Sequence, residues 1–223
     1  MNTQPQTLVR NRDSVLASNK LIRNTYTLLS MTLLFSAATA TFALTTNAPY
    51  LGPWLTLGIY FGLLMVTTSL RNSAWGLVSV FALTGFLGYS LGPLINAYLH
   101  MYTNGSMLVG YAMGATGVIF LGLSGYALTS RRDFSYMGGF LAAGILIAFL
   151  AAVANIFFAI PALALVVSSL FVLLMAGLIL WQTSAMVHGG ETNYIMATVT
   201  LYVALFNLFT SLLQILGVFA GDD

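Results

Sequence analysis

Apolar residues in this chain come in long, unbroken runs separated by short polar breaks, without the two-residue alternation of a half-buried strand. Seven runs meet the ~20 residues that a helix needs to cross a ~30 Å hydrocarbon core. They cover 24–45, 51–70, 74–98, 106–129, 137–159, 162–187 and 194–218. Helix breakers stand between them: Asn47 with Pro49, Gly52 with Pro53, Asn104 with Gly105, Pro161, and Gly189–Gly190. The pattern predicts an all-α membrane protein with a polar tail over 1–23, a seven-helix transmembrane domain over 24–218 and a short tail over 219–223. A membrane β-barrel would instead show ~10-residue strands alternating apolar and polar positions. The first run is preceded by too long a tail, and is itself too long, for a signal peptide with an apolar core of ~7–15 residues. It reads as an uncleaved first span.

Composition agrees. Of 223 residues, 59% are hydrophobic and 5% charged, with mean hydropathy +0.92. A soluble domain carries about 25% charged residues, so this chain cannot cover a water-facing surface. In lipid every backbone polar group must be paired within the structure, a condition that spanning helices meet.

The few charges set an orientation. Arg10, Arg12, Lys20 and Arg23 precede the first span, Arg71 follows the second, and Arg131 and Arg132 follow the fourth. The loops after spans one, three and five contain no Lys or Arg. All basic residues thus fall on one side, which the positive-inside rule makes cytoplasmic. Asp222 and Asp223 then lie on the far side, periplasmic in a bacterial inner membrane. With the basic residues assigned to topology, no basic patch remains for a nucleic acid. The chain has no cysteine, which excludes disulfides, thiol catalysis and Cys-based metal sites.

Within the spans the polarity is neutral. No Asp, Glu, Lys or Arg is expected near mid-depth, where proton relays and ion pathways usually display them. The candidate polar core consists of Asn155, Gln182, Asn207 and Gln214. At 100° per residue, Thr200, Asn207, Ser211 and Gln214 share one face of the last span, with Ala197 and Ala204 beside them. That face predicts a helix packed inside the bundle, its amides acting either as interhelical hydrogen-bonding glue or as the lining of a hydrated cavity. Small residues four apart, Gly88 with Gly92, Gly110 with Gly114, and Gly144 with Ala148 and Ala152, predict close internal packing of spans three, four and five, with a dimer seam as the alternative use.

Two short patterns bear on chemistry. Gly122-Leu123-Ser124-Gly125 is similar to the nucleophile motif of rhomboid proteases, and His188 closes span six. A serine nucleophile needs a base within hydrogen-bond reach, whereas His188 stands at a loop edge, and a glycine-rich quartet is more simply a packing face. His188 and Glu191 form a candidate loop site, but two ligands do not close a metal site. No cofactor and no enzymatic activity are expected.

Several segments together resemble the Bax inhibitor family of seven-span proteins. They are Arg23-Asn24-Thr25-Tyr26 with Leu28-Leu29 and Ser36-Ala37-Ala38; Thr84 to Tyr89 with Leu91-Gly92-Pro93-Leu94; Trp181-Gln182-Thr183; His188-Gly189-Gly190-Glu191-Thr192-Asn193-Tyr194; and Leu201-Tyr202 with Asn207-Leu208-Phe209. The resemblance implies six helices surrounding a central seventh. It also implies one of two functions. One branch holds proton-sensitive calcium leak proteins with a pair of intramembrane aspartates, whose places are taken here by Gln182 and Ala204. A switch made of two carboxylates sharing a proton cannot operate with those residues. The other branch, a bacterial inner-membrane one, binds and restrains the membrane-bound ATP-dependent protease FtsH, with prohibitin-like regulators as further partners. That role needs a surface, and the segment 1–23 offers an unfolding protease a handle.

Overall fold

A computed structural model describes the backbone from Pro5 to Ser130 and from Arg132 to Gly221, with side chains from Ser18 onward. Seven helices follow one another: α1 Pro5–Thr45, α2 Pro53–Leu70, α3 Trp75–Met101, α4 Gly105–Ser130, α5 Gly138–Phe158, α6 Pro161–His188 and α7 Tyr194–Ala220. One 3₁₀ turn, Ser135–Met137, leads into α5. Every helix contains a stretch long and apolar enough to cross a membrane, which for α1 is Ser18–Thr45. Edges agree with the seven predicted runs to within a few residues, except that the backbone of α1 is already helical from Pro5. Most of the expected tail therefore continues the first helix.

The breaks have identifiable causes. Gly52 takes φ +78°, open to glycine, and Pro53 starts α2 at the position where its missing N–H costs nothing. Between α5 and α6, Ala159 is left-handed at φ 49°, a conformation that costs a non-glycine residue about 1–2 kcal/mol. Asn155 offsets that strain: its carbonyl accepts from Ala159 N at 2.8 Å and its Oδ1 from Ile160 N at 3.0 Å. Pro161 then opens α6.

The most extensive seam joins α1 and α3. There Gly88 and Gly92 lie directly against the α1 backbone at Ser36 and Ala43–Leu44, as their spacing predicts. Gly144 receives Leu174 of α6, and Ala148 is fully buried. Span four departs from expectation. A Cβ at Gly110 or Gly114 would meet open space, because α4 buries Leu108, Ala112, Thr116 and Ala127, which lie on the opposite side at helical spacing.

α7 packs against α1, α3, α4 and α6 and buries Ala197, Leu201, Ala204 and Leu208 completely. The remaining two helices lean elsewhere, α2 on α3 and α5 on α6. Across the space between α2 and α5 stand two aromatic pairs, Trp54 with Phe157 (5.2 Å between ring centres) and Phe61 with Phe149 (5.6 Å). Of the polar face of α7, Asn207 borders this gap, and the face is not the most buried side. Ser211 is buried, Thr200 and Asn207 are half-buried, and Gln214 is exposed.

Candidate functional site

Two regions combine polar groups with a recognisable geometry: the surroundings of α7 at mid-bundle, and the loops at the end carrying Lys20, Arg23, Arg71 and Arg132, here termed the basic end. Arg10, Arg12, Arg131, Asp222 and Asp223 lie outside the residues whose side chains are described.

Two adjoining cavities of about 370 and 490 Å³ occupy the α2–α5 gap. They share Thr56, Leu57, Phe149, Phe171, Phe206 and Asn207, so they form one cleft running along α7. Exposed Phe61 of α2 and Leu146 of α5 stand at its mouth, which opens sideways, toward lipid in a bilayer. Its walls are almost wholly apolar. Asn207 is the amide within it. Its Nδ2 donates to the Val203 carbonyl at 2.8 Å, while its Oδ1 accepts nothing among the described residues. A third cavity of about 410 Å³ lies between α1 and α4. Its floor holds Tyr202, whose hydroxyl donates to the Thr84 carbonyl at 3.1 Å and meets Ser36 Oγ at 2.6 Å. Phe206 lines all three cavities and partitions one from the other.

The four candidate core residues do not converge. Asn207 lies in the cleft. Asn155 braces the α5–α6 turn. Gln214 accepts from Ser168 Oγ of α6 at 2.7 Å on the exposed side of α7, an interhelical hydrogen bond of the glue kind. Gln182 is 2% exposed, and its Nε2 has no hydrogen-bond partner. Gln182 and Ala204 line none of the cavities described above.

At the basic end the loops are tied together. Ser184 of α6 donates to the Arg132 carbonyl and accepts from Phe134 N, each at 3.0 Å, which fixes the α4–α5 loop. His188 Nδ1 lies 2.9 Å from the Ser184 carbonyl. A carbonyl only accepts, so Nδ1 carries the proton. Glu191 turns back on its own loop, its Oε1 accepting from Thr192 N and Asn193 N. Asn193 caps α7, its Oδ1 accepting from Ile195 N and Met196 N. Its Nδ2 donates to the Arg71 carbonyl at 3.0 Å and to Asn72 Oδ1 at 2.9 Å. The His188–Tyr194 stretch is therefore a structural tie: Gly189 takes the left-handed cap of α6, Glu191 shapes the turn, and Asn193 joins two loops. Nothing in it gathers a metal; among the described residues no three His, Cys, Asp or Glu come together. Ser124, the rhomboid-like serine, is buried against Thr183 Oγ1 at 3.5 Å.

Sequence reasoning missed Ser184 and the Asn193 tether. The signal for the latter was present, since an Asn directly before an apolar helix is an N-cap signature. The long-range half of the tether, to Arg71 and Asn72, leaves no local mark.

Comparison with known proteins matches residues 18–221 to a family described as inhibitor of apoptosis-promoting Bax1. The chain belongs to the Bax inhibitor family. Within it, the chain is 49% identical over 95% of both chains to an Escherichia coli protein named modulator of FtsH protease YccA. It is likewise 49% identical over 91% of both chains to an uncharacterised protein of Pseudomonas aeruginosa. A membrane protein of Vibrio cholerae is 44% identical over the full length of both. The matched span contains all seven membrane-crossing stretches in full, so the family resemblance rests on the bundle itself.

Proposed function

We propose that this member of the Bax inhibitor family is a non-enzymatic regulator of the inner membrane that associates with the membrane-bound FtsH protease and restrains its degradation of membrane proteins. The observation that carries the reading is the 49% identity over 95% of both chains to the E. coli modulator, a likeness that leaves no domain unmatched. The distribution of charge supports it. Described acidic and basic side chains sit in loops or at the edge of a membrane-crossing stretch, Lys20 and Arg23 at the start of Ser18–Thr45, where they offer an intramembrane proton or cation path nothing to work with. The serine and histidine weighed for hydrolysis are each engaged elsewhere, with Thr183 and Ser184. The calcium-leak reading loses its carboxylate pair to Gln182 and Ala204, both buried.

In this reading the basic end faces the cytoplasm, as the positive-inside rule directs, and prohibitin-like regulators of the protease belong to the same assembly. Affinity-tagged chain extracted in mild detergent should recover the protease from the same membranes, and excess chain should lengthen the half-life of a membrane-protein client. Recovery of no protease, together with an unaltered client half-life, would overturn the proposal.

A further inference from the structure

We infer that the cleft between α2 and α5 is the surface on which a membrane-spanning helix of the partner protease docks, with a polar side chain of that helix pairing with Asn207. The inference rests on the proposed function and adds the place and chemistry of contact.

The first observation is that Asn207 sits at the centre of Tyr194–Ala220, far from either aqueous face along the helix. One amide hydrogen is used within α7, on the Val203 carbonyl. The second hydrogen and the Oδ1 acceptor face a cleft whose other polar side chains are hydroxyls, those of Thr56, Ser90 and Thr210 and of the tyrosines Tyr50, Tyr60 and Tyr89. The hydroxyls of Thr56, Ser90 and Thr210, which line the same cavities, donate to carbonyls of their own helices or helix caps, at Gly52, Leu87 and Phe206. An amide left open to hydrocarbon is unfavourable.

The occupant is narrowed by what can reach the mouth. Lipid chains can enter between Phe61 and Leu146 but carry neither donor nor acceptor at this depth. A second copy related by twofold symmetry would present the same patch. The outward side chains of that patch at mid-depth are Phe61, Leu146, Ile147 and Leu150, all apolar. A different membrane helix bearing Asn, Gln, Ser or Thr near its middle satisfies the amide, as interhelical pairs do in membranes. A helix is ~10 Å across, so it lies along the mouth and sends side chains inward. The two cavities, of about 370 and 490 Å³, give those side chains room. The helices flanking the mouth are also the two with the least burial in the bundle, at 6% for α2 and 11% for α5, which leaves their outer surfaces free for such a contact.

The test uses full-length chain carrying a photo-crosslinking phenylalanine at Leu57 or Leu146 in the cleft, or at Leu121 on the outer face of α4, in membranes that contain the protease. Mass spectrometry should place adducts from Leu57 and Leu146, but not from Leu121, on a membrane-spanning peptide of the protease with a polar residue near its middle. Asn207→Leu should lower protease recovery by about three- to tenfold, the equilibrium worth of one interhelical hydrogen bond, and Asn207→Gln should retain it. Ala152→Phe, which fills the cleft from α5 and leaves Asn207 itself in place, should lower recovery as well and covers the case in which Asn207→Leu fails to fold. Adducts with lipid alone or with a second copy, or full recovery with both Asn207→Leu and Ala152→Phe, overturn the inference while wild-type recovery of the protease leaves the proposed function standing. If wild-type chain recovers no protease, the function falls and this occupant with it.

Discussion

Ser36 of α1 and Tyr202 of α7 meet oxygen to oxygen at 2.6 Å, deep between helices far apart in sequence. The tyrosine hydroxyl gives its only proton to the Thr84 carbonyl at 3.1 Å, so the serine must be the donor in the shorter bond. Three helices are thereby joined at one oxygen. Tyr202→Phe removes that oxygen and leaves the buried serine without a partner. The expected cost is about 1 kcal/mol, within the range measured for interhelical bonds in membranes. For a chain of this size that corresponds to a fall in Tm of about 2–4 °C. Ser36→Ala should cost less, since Tyr202 keeps its bond to Thr84. Thermal unfolding of the purified variants in one detergent checks both.

Two glycine pairs with the same spacing should respond in opposite ways. A Cβ at Gly88 would collide with the Ser36 carbonyl of α1, which is backbone and cannot step aside. Gly88→Ala should therefore destabilise by about 1–3 kcal/mol, as overpacking does. A Cβ at Gly110 meets nothing, and alanine favours the helix by up to ~1 kcal/mol over glycine. Gly110→Ala should be neutral or slightly stabilising. Equal losses for the two would mean that α4 is packed on a surface the single chain does not contain.

That contrast also marks how far the chain could be read before its fold was known. Spans were legible because each depends on a local count of apolar residues against the bilayer thickness. Gly88 and Gly110 are alike in sequence and differ only in what stands opposite, Ser36 in one case and open space in the other, a fact of tertiary packing. The polar face of α7 was likewise legible as a face, but its direction was not. A face rich in amides argues for the interior; its flank at Ala197 and Ala204 is interior, together with Leu201 and Leu208, small and aliphatic residues that let neighbouring helices approach, while the amides themselves are turned to one side. Asn207 consequently borders a lateral cleft, and Gln214 lies exposed. The loop residues His188 and Glu191 were visible as polar groups three apart. Their uses, on the Ser184 carbonyl and on the amides of Thr192 and Asn193, depend on how α6 ends.

Asn193 should separate capping from tethering. Asn193→Ala loses both the α7 cap and the bonds to Arg71 and Asn72, at about 1 kcal/mol for the cap. Asn193→Asp keeps an oxygen for Ile195 N and Met196 N but has no N–H for the neighbouring loop, and sets a carboxylate against two acceptor oxygens. Hydrogen exchange should accordingly show faster exchange at the start of α7 and in the α2–α3 loop for the alanine variant. For the aspartate variant the increase should be confined to the loop. Protection of that loop in both variants would show that the tether is dispensable.

Acid should loosen the α4–α5 loop before it disturbs the bundle. Asp133 accepts from Ser135 N at 2.9 Å, and the backbone and then the side chain of Ser135, with a smaller contribution from the charge of His188, hold its carboxyl below the ordinary carboxylate range. The folded loop thus favours the ionised form. Its contribution to stability is fully present above the usual carboxylate pKa of ~4 and is lost as pH falls through the lowered value in the folded state. Between neutral pH and about pH 5 the loop should be unaffected, and with further acidification exchange at Phe134 to Met137 should accelerate while the amides of α3 and α7 stay protected. Asp133→Asn keeps an acceptor for Ser135 N but removes the titration, so its loop should show exchange without that acid step. An acid step that persists in Asp133→Asn would assign the transition to another group.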